Sequence, residues 1–142
     1  MSIKVVCPHC AKVNRIPKKE SYAKANCGGC KESMLIYKPI EVDKSDLLHV
    51  LVNSDIPVIV DFWAPWCGPC RMMAPAYEEA ALEMPLQAIF LKVNTQEHQD
   101  LGAVYNIQSI PTIVAFRGTK EVDRVSGAMS SQRLVNWIRQ FI

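Results

Sequence analysis

All six cysteines of this chain fall into C-x-x-C pairs: Cys7/Cys10, Cys27/Cys30 and Cys67/Cys70. In a reducing compartment that pairing points to metal binding or redox catalysis, not to a structural disulfide framework. The N-terminal stretch Met1 to Cys7 lacks the apolar run of a secretory signal, and no segment approaches the roughly 18 apolar residues of a membrane span. The expectation is a cytoplasmic protein without a membrane partner, whose three pairs must be assigned one by one. Its 142 residues suffice for one ordinary core and a small appendage.

The first two pairs are separated by the 16 residues 11–26. This spacing fits a zinc ribbon, in which two turns each offer two thiolates to one tetrahedral ion. Cys7, Cys10, Cys27 and Cys30 are therefore the expected ligands of one structural Zn2+, with no organic cofactor. His9 is surplus to a shell that four thiolates complete. The segment reads as too short and too basic to bury a core, so metal coordination would supply its folding free energy. Gly28 and Gly29 are expected to provide the positive φ of the second turn.

Charge also divides the chain. Residues 1–40 carry eight Lys or Arg against Glu20 and Glu32, and the remainder carries eight basic against twelve acidic residues. The interval between the two pairs has only Tyr22 as an aromatic, too few for a nucleic-acid stacking platform. Its lysines read as a solvated face, and nucleic acid is not the expected partner. Tyr37-Lys38-Pro39-Ile40 marks the junction, giving units 1–38 and 39–142.

In the second unit, Asp43 and Ser45 are candidate caps of a helix with Leu47, Leu48, Leu51 and Val52 on its inner stripe. Val58 to Trp63 reads as a buried strand, and Ala64-Pro65 ends it. That strand delivers Cys67 to the start of a helix running to about Glu83, with Pro75 inside it. Free backbone N–H groups and the helix dipole favour a thiolate at such a position, and Cys70 lies one turn on. Met72 and Met73 are assigned to core packing. A strand over 87–93, a short helix over 97–105, a hairpin of strands at 112–116 and 121–125, and a final helix capped by Ser130 follow. The β-α-β-α start and the hairpin finish predict a mixed sheet flanked by helices.

Trp66-Cys67-Gly68-Pro69-Cys70, Asp61 before it, Ile110-Pro111-Thr112 and Gly127 occur in an order that resembles thioredoxin over residues 41–142. With the four-cysteine ribbon in front, the whole chain resembles the zinc-containing, thioredoxin-2 type of bacterial thioredoxin. The fold class implied is α/β: a thioredoxin-like mixed sheet flanked by helices, with a small N-terminal zinc-ribbon-like domain.

The resemblance implies a protein-disulfide reductase, recycled by an NADPH-dependent thioredoxin reductase and acting on disulfide-containing proteins. Cys67 is expected to attack as the more exposed sulfur, and Cys70 to resolve the mixed disulfide. Asp61 takes the role of base for Cys70, Lys92 resembles the lysine facing it, and Pro111 resembles the family's cis-proline. Trp66, Gly68, Pro69, Ile110, Gly127 and Ala128 form the expected substrate rim, while Trp63 packs behind the sulfurs. Ser126 stands where ordinary thioredoxins commonly carry an apolar residue. The absence of histidine between Cys67 and Cys70 predicts a reducing pair. The competing expectations are a ribbon that binds nucleic acid or protein, and zinc thiolates that sense oxidants. Nothing in the sequence requires more than a monomer.

Overall fold

The computed structural model describes residues 1–35 and 38–142. The Tyr37 end of the expected junction, with Ile36, lies outside the described residues. The chain builds two sheets. Strands β1 (Ser2–Val6) and β2 (Val13–Pro17) form an antiparallel pair, with Ser2 opposite Pro17 and Val6 opposite Val13. The first cysteine pair sits in the turn that joins them.

The second sheet has five strands in the order β3-β5-β4-β6-β7, comprising β3 (Ile40–Glu41), β4 (Val58–Trp63), β5 (Ile89–Asn94), β6 (Thr112–Arg117) and β7 (Lys120–Ser126). β3, β5 and β4 run parallel, and β6 and then β7 extend the sheet antiparallel. The sheet is thus mixed, as its element order predicts. Helices α1 (Lys44–Asn53), α2 (Gly68–Glu83), α3 (Gln99–Val104) and α4 (Ser131–Ile138) cover it. A 3₁₀ turn over Arg139–Phe141 ends the chain.

Alternation along β4 assigns the two faces. Val58, Val60 and Phe62 join Leu47, Val50 and Leu51 of α1 and Leu101 of α3 in one core layer. Ile59 faces the other way, with Phe90, Ile113 and Ala115, onto Met73, Tyr77 and Ala80 of α2 and Leu134 and Ile138 of α4. Asp61, two residues from Ile59, belongs to this second face. Two of the three candidate caps act: Asp43 accepts from Asp46 N–H at 2.8 Å in a capping box, and Ser130 accepts from Arg133 N–H at 3.2 Å. Ser45 lies inside α1 instead.

Three expectations about packing are corrected. The inner stripe of α1 includes Val50, while Leu48 and Val52 are 44% and 62% exposed. Met73 is in the core, but Met72 is 79% exposed, because adjacent helical residues point about 100° apart. The N-terminal unit does bury apolar side chains. Ile3, Val5, Val6 and Met34 are continuous with the α1-facing core. Lys4 N–H donates to Asp55 Oδ2 at 2.6 Å, Asp55 N–H donates to Lys4 O at 2.9 Å, and Gln87 Nε2 donates to Glu20 O at 2.9 Å. His49, half-buried on α1, donates from Nε2 to Ala11 O at 2.7 Å. A short polar-rich ribbon thus finds its core by borrowing one.

Candidate active site and metal centre

β4 ends where Ala64 O accepts from Cys67 N–H at 3.1 Å, closing the turn that carries Pro65 and Trp66. Cys67 then takes the N-cap position of α2 in an extended conformation, φ −82° and ψ 112°. Its Sγ accepts from Cys70 N–H at 3.2 Å, so sulfur does the work that a Ser or Asp oxygen does at an ordinary cap. Pro69 sits in the first turn, where a missing N–H costs nothing. Cys67 and Cys70 are joined as a disulfide with their Cα atoms 5.2 Å apart.

Both cysteines are buried, at 4% and 3% exposure, so exposure does not separate them as expected. Their positions do: Cys67 is the cap and Cys70 is inside the helix. Ala64, Trp63 and Ile110 pack around the pair. The Ile110-Pro111 bond is cis, and Ile110 O lies 3.8 Å from Cys67 Sγ. Gly127, at φ 94°, donates its N–H to Pro111 O at 2.9 Å. Thr112 Oγ1 donates to Ser109 O at 2.6 Å and lies 3.0 Å from Ser126 Oγ, which explains a polar residue at 126: it serves β6 rather than the rim. Around the sulfurs Trp66 is 70% exposed, with Pro69, Gly127 and Ala128 exposed and Gly68 and Ile110 half-exposed.

Behind the pair, Asp61 is 1% exposed, and its Oδ1 has no hydrogen-bond partner among the described residues. Burial pushes its carboxyl up to about 7, against the opposing pull of Lys92, and Glu41 adds to the rise. The sheet register sets these three in a row, with Lys92 opposite Asp61 on one side and Glu41 on the other. Lys92 Nζ sits 4.4 Å from the centre of the Trp63 ring, a cation–π contact. Burial also raises Glu41, against the pull of Lys92.

The four remaining cysteines converge, with all four sulfurs within 4.8 Å of one another. Cys7 Sγ lies 3.8 Å from Cys30 Sγ, and Cys10 Sγ lies 3.6 Å from Cys27 Sγ. A tetrahedral ion with Zn–S bonds of about 2.3 Å requires sulfur separations of about 3.8 Å, so the donor set fits zinc. The two turns share one wiring. Ala11 N–H bonds Cys7 O and Lys31 N–H bonds Cys27 O, both at 3.0 Å; Cys7 N–H bonds Lys12 O at 2.8 Å and Cys27 N–H bonds Glu32 O at 2.9 Å. The positive φ falls on Ala11 (65°) and Lys31 (70°), one residue after each pair, and not on Gly28 or Gly29 as expected. His9 turns away from the sulfurs, and its Nε2 donates to Ser33 O at 2.8 Å.

Asn14 is a residue the sequence did not single out. It is 8% exposed, donates to Cys27 Sγ at 3.4 Å and holds the Cys27 thiol below its ordinary range. An asparagine in a basic strand carries no pattern that would flag it.

A vicinal thiol pair that caps a helix beside a cis-proline can close into a disulfide and reopen, and on a sheet of this order it defines a thiol–disulfide oxidoreductase. The family profile described as Thioredoxin matches residues 38–140, and that described as Thioredoxin 2, N-terminal, matches residues 6–32. Thioredoxin C-3 of Corynebacterium nephridii is 40% identical over 136 residues, covering 96% of this chain and 93% of that protein. A mutant thioredoxin from Halobacterium salinarum NRC-1 superposes with a TM-score of 0.68 at 31% identity, covering 73% of this chain and 90% of its own. Thioredoxin f from spinach chloroplast gives a TM-score of 0.67 at 34% identity, covering 72% and 85%. The chain belongs to the thioredoxin family, and carries that family's thioredoxin-2 type of N-terminal ribbon.

Proposed function

We propose that the chain is a cytoplasmic, monomeric protein-disulfide reductase that draws its electrons from an NADPH-dependent flavoprotein reductase. The observation that carries this reading is the helix cap. Cys67 Sγ accepts the Cys70 N–H at the positive end of α2, which favours thiolate over thiol at that sulfur. The Cys67 thiolate attacks one sulfur of a substrate disulfide, and the other leaves as a thiolate, giving a mixed disulfide. Asp61, whose carboxyl is poised near neutrality, takes the Cys70 proton through water. The Cys70 thiolate then attacks Cys67 Sγ, and the substrate departs fully reduced. The pair ends oxidised and is returned to the dithiol by two electrons from the reductase.

Lys92 tempers the charge on Asp61 in this scheme. The turn at Pro111 presents the Ile110 backbone to an extended substrate segment. Trp66, Gly68, Pro69, Ile110, Gly127 and Ala128 form the docking rim. The absence of a histidine between Cys67 and Cys70 makes the pair reducing.

Residues 1–38 act as a zinc-ribbon domain and residues 39–142 as the redox domain. Cys7, Cys10, Cys27 and Cys30 hold one Zn2+ as a closed four-thiolate shell, which supplies folding free energy and no chemistry of its own. Insulin-disulfide reduction with NADPH and a thioredoxin reductase tests the reading. The intact chain sustains turnover and the Cys67→Ala variant does not; equal rates for the two contradict it.

A further inference from the structure

The two cysteine turns share their backbone hydrogen bonds, but one side chain breaks the symmetry. Asn14 stands on β2 opposite Val5, in the hairpin of the first turn, and its carboxamide reaches both turns. Nδ2 donates to Lys12 O at 3.1 Å, and Lys12 O is the carbonyl that closes the first turn on Cys7 N–H. Oδ1 accepts from Gly28 N–H at 2.9 Å, inside the second turn. The remaining Nδ2 hydrogen points to Cys27 Sγ at 3.4 Å. These partners set the amide orientation, because Gly28 N–H needs an acceptor and the Lys12 carbonyl needs a donor.

Cys27 Sγ also accepts from Gly29 N–H at 3.3 Å, as Cys7 Sγ accepts from His9 N–H at 3.3 Å. Asn14 therefore adds to the second turn a side-chain donor for which the first turn shows no counterpart among the described residues. Exposure is unequal in the same sense. Cys27 is 1% and Cys7 2% exposed, Cys30 is partly exposed and Cys10 is exposed.

We propose that Asn14 is a positioning residue of the metal centre: its carboxamide locks the two turns together and makes Cys27 the most firmly held thiolate, so that the metal is surrendered from the exposed Cys10 outward. The inference rests on the reading of the four cysteines as a zinc site. Donors beyond the ligands commonly change metal affinity 10- to 100-fold, and an N–H aimed at a buried thiolate offsets charge where water cannot.

The full-length, zinc-loaded chain is compared with Asn14→Asp and Asn14→Ala. The aspartate keeps an acceptor for Gly28 N–H but loses the donors to both Lys12 O and Cys27 Sγ, so it removes the donor half of the carboxamide even if the alanine variant folds poorly, and the labelling order and cobalt spectrum report the contact with sulfur. Transfer of zinc to a chelating dye is expected to quicken about 10- to 100-fold in Asn14→Asp. Timed N-ethylmaleimide labelling, mapped by mass spectrometry, is expected to reach Cys10 first and Cys27 last in the parent chain. In the variant Cys27 advances to the level of Cys7. With Co2+ in place of zinc, the sulfur-to-cobalt charge-transfer band moves to longer wavelength once the hydrogen bond is gone.

Unchanged transfer rates overturn the proposal. So does faster transfer with an unaltered labelling order and cobalt spectrum, which is what a purely structural asparagine would give. A parent chain that takes up neither ion overturns this inference together with the metal reading, whereas a normally loading parent with unaltered variants overturns this inference alone.

Discussion

Among single residues, Asp61 couples stability to chemistry most directly. Its carboxyl titrates near 7 in the folded chain against a reference value of 3.8, because burial penalises the charge. Between those two values the folded chain holds a proton that the unfolded chain has released. The stability tied to this group is thus complete below pH ~4 and is lost as pH rises through 7. An Asp61→Asn variant lacks that loss, and urea unfolding is expected to find it more stable than the parent at pH 8, by up to about 4 kcal/mol, with little difference at pH 4. With Asp61 as the proposed base, the same substitution is expected to slow release of substrate from the mixed disulfide more than it slows formation. In the parent the release rate is expected to rise with pH through about 7, and stopped-flow measurement on the variant should find that rise absent. Asp61, Cys67 and Cys70 were legible because a carboxylate in an apolar strand and thiols at a helix start violate the local pattern. Glu41 and Asn14 violate no pattern, so only the fold reveals what they touch.

At the scale of elements, α2 is tied to the sheet by Tyr77. Its hydroxyl donates to Leu91 O at 2.7 Å and lies 3.1 Å from Ile59 O, fully buried. Tyr77→Phe removes the hydroxyl while keeping the ring, and a loss of about 1 kcal/mol in denaturant unfolding is expected. Long, strongly patterned elements were read closely: α2 starts after Cys67 and ends at Glu83 as expected, and the β6–β7 hairpin turns at Gly118, φ 58°. The stripe of α1 differs because the buried face is turned by less than one 100° residue step about the shared Leu47 and Leu51, which buries Val50 in place of Leu48 and Val52, and all five positions are apolar in sequence. β1 and β2 were missed for a different reason. Five-residue strands that flank the first cysteine pair show little alternation, and their pairing depends on a turn whose positive φ falls on Ala11, a residue without turn propensity. β3 is two residues long, below any periodic signal.

Across the whole molecule, the ribbon and the redox unit share a core through Ile3, Val5, Val6 and Met34, and charge separates their surfaces. Metal loss should therefore act by regions. Removing zinc with a chelator under reducing conditions is expected to abolish amide-exchange protection in β1 and β2, weaken it in α1, and leave β4 and β6 protected. Uniform loss across all strands would mean that the two units unfold together. Among the described residues no helix is long and apolar enough to cross a membrane.

The proposed division of labour between the two helix-start thiols is open to trapping. Reduced Cys70→Ala and Cys67→Ala chains are each mixed with a disulfide-containing protein, quenched with acid and analysed by mass. A mixed disulfide is expected to accumulate on Cys67 in the Cys70→Ala chain, and none on Cys70 in the Cys67→Ala chain. An adduct forming at comparable rate on Cys70 would contradict that division.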